Sequence, residues 1–156
     1  MPKKIKILLI VISLVLINGC GFKKINGYQD SIYIKNINIS GDNRSSSILK
    51  NNILFISKTN GINKYDIDLV LSKNKFAKIK NKKGQISRYN MKLSVNLDLT
   101  NTDTNTTIKK TFSRNSDYTV EKIHSATINN EKNTVKNLVQ SLSNEIISFI
   151  ILYSKN

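Results

Sequence analysis

The chain has 156 residues, of which 39% are hydrophobic and 22% charged, and its formal net charge is +15 at pH 7. Its single cysteine excludes an internal disulfide, and its length fits one ordinary domain with one core. So positive a charge predicts association with polyanions. However, Lys, Asn and Ile make up 68 of the 156 residues, a bias that AT-rich coding produces without selection for binding.

Residues 1–19 have the layout of a secretory signal peptide. Lys3, Lys4 and Lys6 precede an uncharged apolar run at residues 7–17, and Gly19 supplies the small residue at the cleavage point. The run has eleven residues, whereas a spanning helix needs roughly 20. We predict that residues 1–19 are removed, which leaves 137 residues and lowers the formal net charge to +12.

The stretch Ile17-Asn18-Gly19-Cys20 resembles the lipobox of bacterial lipoproteins. That resemblance implies lipidation of Cys20: a diacylglyceryl group on the thiol, cleavage before it, and acylation of the new amine. Gly21 rather than Asp follows, which by resemblance to sorted lipoproteins favours the outer membrane. We expect a lipid-anchored protein on the periplasmic side, with residues 20–30 as the lipidated tether. A buried or free thiol is the alternative.

Residues 31–40 predict a β-strand, because isoleucines nearly alternate with polar residues. The alternation changes parity between Ile34 and Ile37, which predicts a β-bulge near Lys35 or Asn36. A helix is predicted to follow, between the turn at 41–42 and the Asn-Gly pair at 60–61, with serines 45–47 as cap residues. Its apolar stripe consists of Leu49, Ile53 and Ile56.

From Lys64 the apolar period changes to two, which predicts a second strand. Tyr65, Ile67, Leu69 and Leu71 occupy one face, and the strand is expected to continue in frayed form to about Ile79. The segment 80–84 predicts a turn. A third strand, residues 88–99, alternates without a break, with a dry face formed by Tyr89, Met91, Leu93, Val95, Leu97 and Leu99.

The polar segment 101–107 predicts a hairpin loop, and residues 106–116 a fourth strand with an interruption at 115–117. Residues 118–129 fit either a loop or the start of a helix. The final helix is predicted with Ser143 and its polar neighbours on the wet side. Its apolar stripe consists of Val135, Leu138, Val139, Leu142, Ile146, Phe149 and Ile150.

These elements predict one α+β domain over residues 31–156. Two helices pack on one face of a four-stranded, mostly antiparallel sheet, in the order strand-helix-strand-strand-strand-helix. The opposite face of the sheet carries polar residues and is expected to be wet.

Positive charge is concentrated between Leu69 and Leu97, where no acidic residue occurs. The segment contains eight basic residues: Lys73, Lys75, Lys78, Lys80, Lys82, Lys83, Arg88 and Lys92. Nucleic-acid binding favours arginines interleaved with several aromatic rings, but here lysine dominates and Phe76 and Tyr89 are the nearby rings. The export signal also argues against nucleic acid, so phosphorylated lipid is the expected polyanion.

The sequence offers little for catalysis. His124 is the single histidine, and a small hydrolase centred on it with Glu121 and Asp117 is the enzymatic alternative. Asp66 and Asp68 are the carboxylates at metal spacing, on a strand face where solvation explains them. We expect no enzyme activity, no metal and no cofactor.

Four features of the chain are informative together: the "CGF" that opens the mature chain, the order of elements, "GQISRYNMKLSVNLDL" with Gly84, Gln85, Tyr89 and Met91, and "TFSRNSDY" (111–118) followed by Glu131 opening the last helix. Together they resemble the LptE family of lipopolysaccharide-assembly lipoproteins. The resemblance implies a plug inside the LptD β-barrel that assists barrel assembly and lipopolysaccharide transport.

The resemblance also implies lipopolysaccharide-binding residues in the hairpin: Lys82 and Lys83 before Gly84, with Lys80 and Arg88 near. The basic residue that some members place before the last helix has no counterpart at 128–130, unless Lys122 or Lys132 substitutes. The alternative function is another periplasm-facing lipoprotein, pilotin-like or binding a different polyanion.

Overall fold

Four strands and two helices follow one another in the order that the sequence predicts. The computed structural model describes residues 32–155, so the predicted signal peptide, Cys20 and the tether lie outside the described residues. The elements are β1 (Ile32–Gly41), α1 (Asn43–Leu54), β2 (Asn63–Lys80), β3 (Ile86–Asn101), β4 (Thr106–Thr119) and α2 (His124–Tyr153). The predicted α+β class and element order are confirmed.

The four strands form one sheet in the order β1-β2-β3-β4. β1 and β2 are parallel because α1 provides the crossover between them, whereas the tight turns of the other two pairs make them antiparallel. The register of β1 shifts between Ile34 and Asn36, which confirms the predicted bulge. As a result, Ile37 returns to the helix-facing side opposite Ile67.

The core lies between one sheet face and the two helices. All of the predicted dry residues of β2 and most of those of β3 are buried there, with Leu49 and Ile53 from α1 and Leu142 and Ile146 from α2. Ser143, predicted on the wet side of α2, is instead fully buried. Its hydroxyl donates to the Val139 carbonyl (2.8 Å) and accepts from the Asn52 amide (3.0 Å), so burial leaves it hydrogen-bonded.

Element ends differ from the sequence-based expectations. β2 remains paired with β3 as far as Lys80 rather than fraying. β4 runs through 115–117 to Thr119, because β3 pairs with it there and the Asn90 amide donates to Asp117 (2.7 Å). α2 begins at His124, seven residues before Glu131. Within residues 32–155, no helix combines the length and apolarity that crossing a bilayer requires.

Candidate functional site

The turn between β2 and β3 presents the residues predicted to bind lipid. The Asn81 side-chain oxygen accepts hydrogen bonds from the backbone N–H groups of Lys83 (2.9 Å) and Gln85 (3.0 Å). Gly84 has φ = 78°, a conformation that favours glycine. Asn81 and Gly84 therefore fix the turn, and the side chains of Lys82 and Lys83 take no part in it.

Lys80, Lys82, Lys83 and Arg88 are all exposed at this end of the hairpin. Lys80 ends β2 opposite Ile86, and Arg88 lies on β3 opposite Ile79. The structure thus brings the four residues together, and we refer to them as the lysine tip.

The eight basic residues between Leu69 and Leu97 fall into two groups. Lys73 pairs with Asp42 (2.6 Å), Lys75 with Glu131 (2.7 Å), and Lys78 with Asp117. Hydrogen bonds from Asn90 and Lys78 lower the pKa of Asp117. In the part of the chain that the structure describes, neither Lys92 nor any residue of the lysine tip forms an ion pair. The charge of Arg88 still helps to lower the pKa of Asp117, so within this part of the chain the three lysines of the tip are cations without a carboxylate partner.

A cluster at the base of the tip joins three of the residues that carry the LptE resemblance. The rings of Tyr89 and Tyr118 stack with centroids 5.6 Å apart, and the Tyr118 hydroxyl donates to Glu131 (2.7 Å). Lys75 Nζ pairs with the same carboxylate and lies 4.3 Å from the Tyr89 centroid. These residues hold the hairpin against α2, which gives the motif a structural role.

The structure separates the two lysines that sequence reasoning offered as substitutes near the last helix. The Val120 N–H donates to Ser87 O (3.0 Å), which places the loop with Lys122 beside the lysine tip. Lys132 instead lines a groove of about 650 Å³ between α1 and α2, together with basic and apolar side chains and the carboxylates of Asp42 and Glu131. Lys122 therefore lies near the lysine tip, although it is not part of the basic run 73–92 from which the tip was predicted.

Four of the five alternative catalytic and metal residues accept hydrogen bonds from other side chains. His124 is the exposed first residue of α2, while Glu121 accepts from Asn130 and Asp117 from Asn90 and Lys78. Asp66 and Asp68 each accept from an asparagine of β1 at 2.9 Å. Residues 32–155 contain no group of three side chains arranged to hold a metal ion.

The fold is similar to solved structures of bacterial lipoproteins. Rare lipoprotein B from Shewanella oneidensis matches with a TM-score of 0.61 at 11% identity, covering 78% of this chain and 97% of that chain. An uncharacterized lipoprotein B from Nitrosomonas europaea matches with a TM-score of 0.60 at 14% identity, covering 87% and 94%. No family model and no curated protein matches the sequence. The comparisons show a shared fold.

Proposed function

We propose that the protein is an outer-membrane lipoprotein, anchored through Cys20 on the periplasmic side, that plugs and helps assemble the LptD barrel for lipopolysaccharide transport. The role is binding and assembly, without catalysis. The lipobox, the LptE resemblance and the fold shared with two lipoproteins support it. The observation that carries the proposal concerns ion pairs. The basic residues that the resemblance assigns to lipid binding form none with the described residues, whereas Lys73, Lys75 and Lys78 each form one.

The lysine tip suits the phosphate groups of lipopolysaccharide. Lysines meet a phosphate as point charges, and the guanidinium of Arg88 can bind one through two parallel hydrogen bonds. Lys122 adds a further positive charge at the same end. Since none of the tip lysines forms an ion pair among the described residues, they are available to a phosphorylated ligand, while Arg88 also interacts with the charge of Asp117.

The dimensions and the polar sheet face fit a plug. β2 has 18 residues, which at about 3.3 Å each extend roughly 60 Å, twice the roughly 30 Å thickness of a bilayer core. The sheet face away from the helices carries cross-strand polar pairs such as Ser94 with Ser113 and Thr111 with Asn96, and also the half-exposed side chains of Val70 and Phe76. Such a face suits the polar interior of a membrane barrel.

Affinity capture from the host outer membrane tests the proposal. We expect the tagged full-length chain to recover LptD from detergent-solubilised membranes, and mass spectrometry to find acyl chains on Cys20. A Cys20→Ser chain is the matched control and should lose outer-membrane localisation. Recovery of a different barrel without LptD would refute the assignment, and an unmodified thiol in the native protein would refute the anchor.

A further inference from the structure

Large apolar side chains are exposed at one end of the domain. Phe55 is 81% exposed, Ile62 79% and Leu152 60%. These three residues and Ile123 are the most exposed large hydrophobic residues of the described chain. Ile123 lies at the other end, next to the first turn of α2. We name Phe55, Ile62 and Leu152 the anchor-end patch.

Hydrogen bonds show that the three residues share one end. The Lys58 N–H donates to Ile32 O (2.8 Å), which holds the loop after Phe55 against the first residue of β1. Ile62 directly precedes Asn63, which pairs with Ile32 and whose amide donates to Ser154 O (3.1 Å), two residues after Leu152. The patch therefore surrounds the point where the chain enters the fold.

The tether ends at the same point. Only 12 residues, 20–31, separate Cys20 from Ile32, and fully extended they reach at most about 40 Å. An acylated Cys20 keeps the patch within that distance of the leaflet, at a high effective concentration. Even a contact between the patch and the leaflet that is too weak to bind an untethered domain is then formed for much of the time.

The chemistry of this end suits a lipid surface. Lys58 and Lys64 lie near the patch, and Asp103, on the adjacent β3–β4 turn, is an acidic neighbour 3.9 Å from Lys64. Apolar side chains bordered by lysines are typical of segments that lie in the membrane interface, where lysine meets anionic head groups.

We propose that the anchor-end patch docks on the phospholipid leaflet that holds the anchor, in the chain before it joins a barrel. The domain then stands with Phe55, Ile62 and Leu152 in the interface and the lysine tip pointing away from the lipid. This inference rests on the acylation of Cys20 in the proposed function.

The composition of the chain allows a direct test, because it contains no tryptophan and one cysteine. Phe55→Trp places the only tryptophan of the chain in the patch. Phe76→Trp is the matched control, since Phe76 is 53% exposed and lies 13 residues beyond Asn63 along β2, or roughly 43 Å. The mature chain is coupled through its Cys20 thiol to maleimide lipid, in vesicles whose phospholipids carry brominated acyl chains.

We expect the emission of Phe55→Trp to shift to the blue and to be quenched by the brominated chains, while Phe76→Trp keeps the emission that it shows on unbrominated vesicles. Adding Ile62→Ser and Leu152→Ser should reduce the quenching of Phe55→Trp, with circular dichroism confirming an intact fold.

Three results would overturn docking: equal quenching of both reporters, quenching of Phe76→Trp alone, or no quenching. No quenching is also the result expected if residues 20–31 or a second copy of the chain covered the patch. Unchanged quenching after the two serine substitutions would also overturn it. Chemical coupling replaces acylation and the vesicles contain no LptD, so failure here is distinct from failure of the proposed function.

Discussion

Asp42 joins α1 to β2 through one carboxylate. It caps α1 by accepting from the Ser45 N–H (3.1 Å) and hydroxyl (2.6 Å), and its other oxygen pairs with Lys73 of β2 (2.6 Å). The hydrogen bonds from Lys73 and then Ser45 lower its pKa from 3.8 to about 2. The sequence indicated a turn at Asp42 and assigned the cap to serines 45–47. The spacing of Asp42 and Ser45 was the missed signal.

Two substitutions of Asp42 separate its cap from its charge. We expect Asp42→Ala to lower the free energy of unfolding by about 1 kcal/mol at neutral pH. Asp42→Asn keeps a capping oxygen and loses the ion pair with Lys73, so its loss should be smaller than that of Asp42→Ala. Urea denaturation of both variants measures the difference, and equal losses would contradict the separation.

The same pair of variants has a predicted pH dependence. Because the folded pKa of Asp42 is depressed, its stabilisation is present above the unfolded value of 3.8 and is lost as the pH falls toward about 2. Asp42→Asn should therefore show a shallower loss of stability than the native chain across this window. Parallel curves for the two proteins would show that Asp42 does not titrate as described.

At the scale of whole elements, burial patterns were sufficient to predict the middle of each strand and helix, but not their ends. The alternation along β3 and the stripe of α2 reflect which side chains face the core, so their interiors followed from the sequence. The start of α2 did not, because its N-cap, Ile123, makes no side-chain capping bond and gives no local signal. Contacts with strands of the sheet stabilise the N-terminal end of α2 instead.

Glu131 is the main such contact. Partial burial favours a higher pKa for its carboxyl group, but hydrogen bonds from Lys75 and Tyr118 outweigh burial and lower the pKa. The ionised carboxylate thus ties the second turn of α2 to β2 and β4, in place of the missing cap.

We therefore expect Glu131→Ala to accelerate amide hydrogen exchange in residues 124–131 more than in the rest of α2, with a global loss of about 1 kcal/mol. Lys132→Ala is the matched control, since Lys132 is adjacent and exposed and forms no ion pair among the described residues. Equal exchange rates in the two variants would contradict this role for Glu131.

At the scale of the whole molecule, two chemically different ends are separated by the length of β2. The basic run located the lysine tip in the sequence, but it did not reveal which lysines are neutralised. Their partners, Asp42, Asp117 and Glu131, come from distant parts of the chain and meet them only in the fold. The sequence indicated the anchor-end patch only in part: residues 146–152 are more apolar than one helix face requires, but nothing in the sequence brings Leu152 together with Phe55 and Ile62.

Charge reversal at the tip tests its role in binding. We expect Lys82→Glu combined with Lys83→Glu to weaken binding of lipopolysaccharide to the mature chain about tenfold or more, because two attractive contacts with phosphate become repulsive. The fold should survive, since Asn81 and Gly84 form the turn without these side chains. Lys132→Glu with Lys136→Glu is the control of equal charge, on the exposed wall of the groove.

Ionic strength distinguishes the two ends of the molecule. Salt shortens the Debye length from about 10 Å at 0.1 M to about 3 Å at 1 M, so lipopolysaccharide binding at the exposed tip should fall steeply over that range. Quenching of Phe55→Trp by brominated lipid should fall much less, because burial of apolar surface is not screened and salt weakens only the contact of the neighbouring lysines with head groups. In the charge-reversal comparison, a larger loss of affinity in Lys132→Glu with Lys136→Glu than in Lys82→Glu with Lys83→Glu would place the phosphate contact between the helices. If lipopolysaccharide binding were insensitive to salt, the positive charge of the lysine tip would not be the basis of that binding.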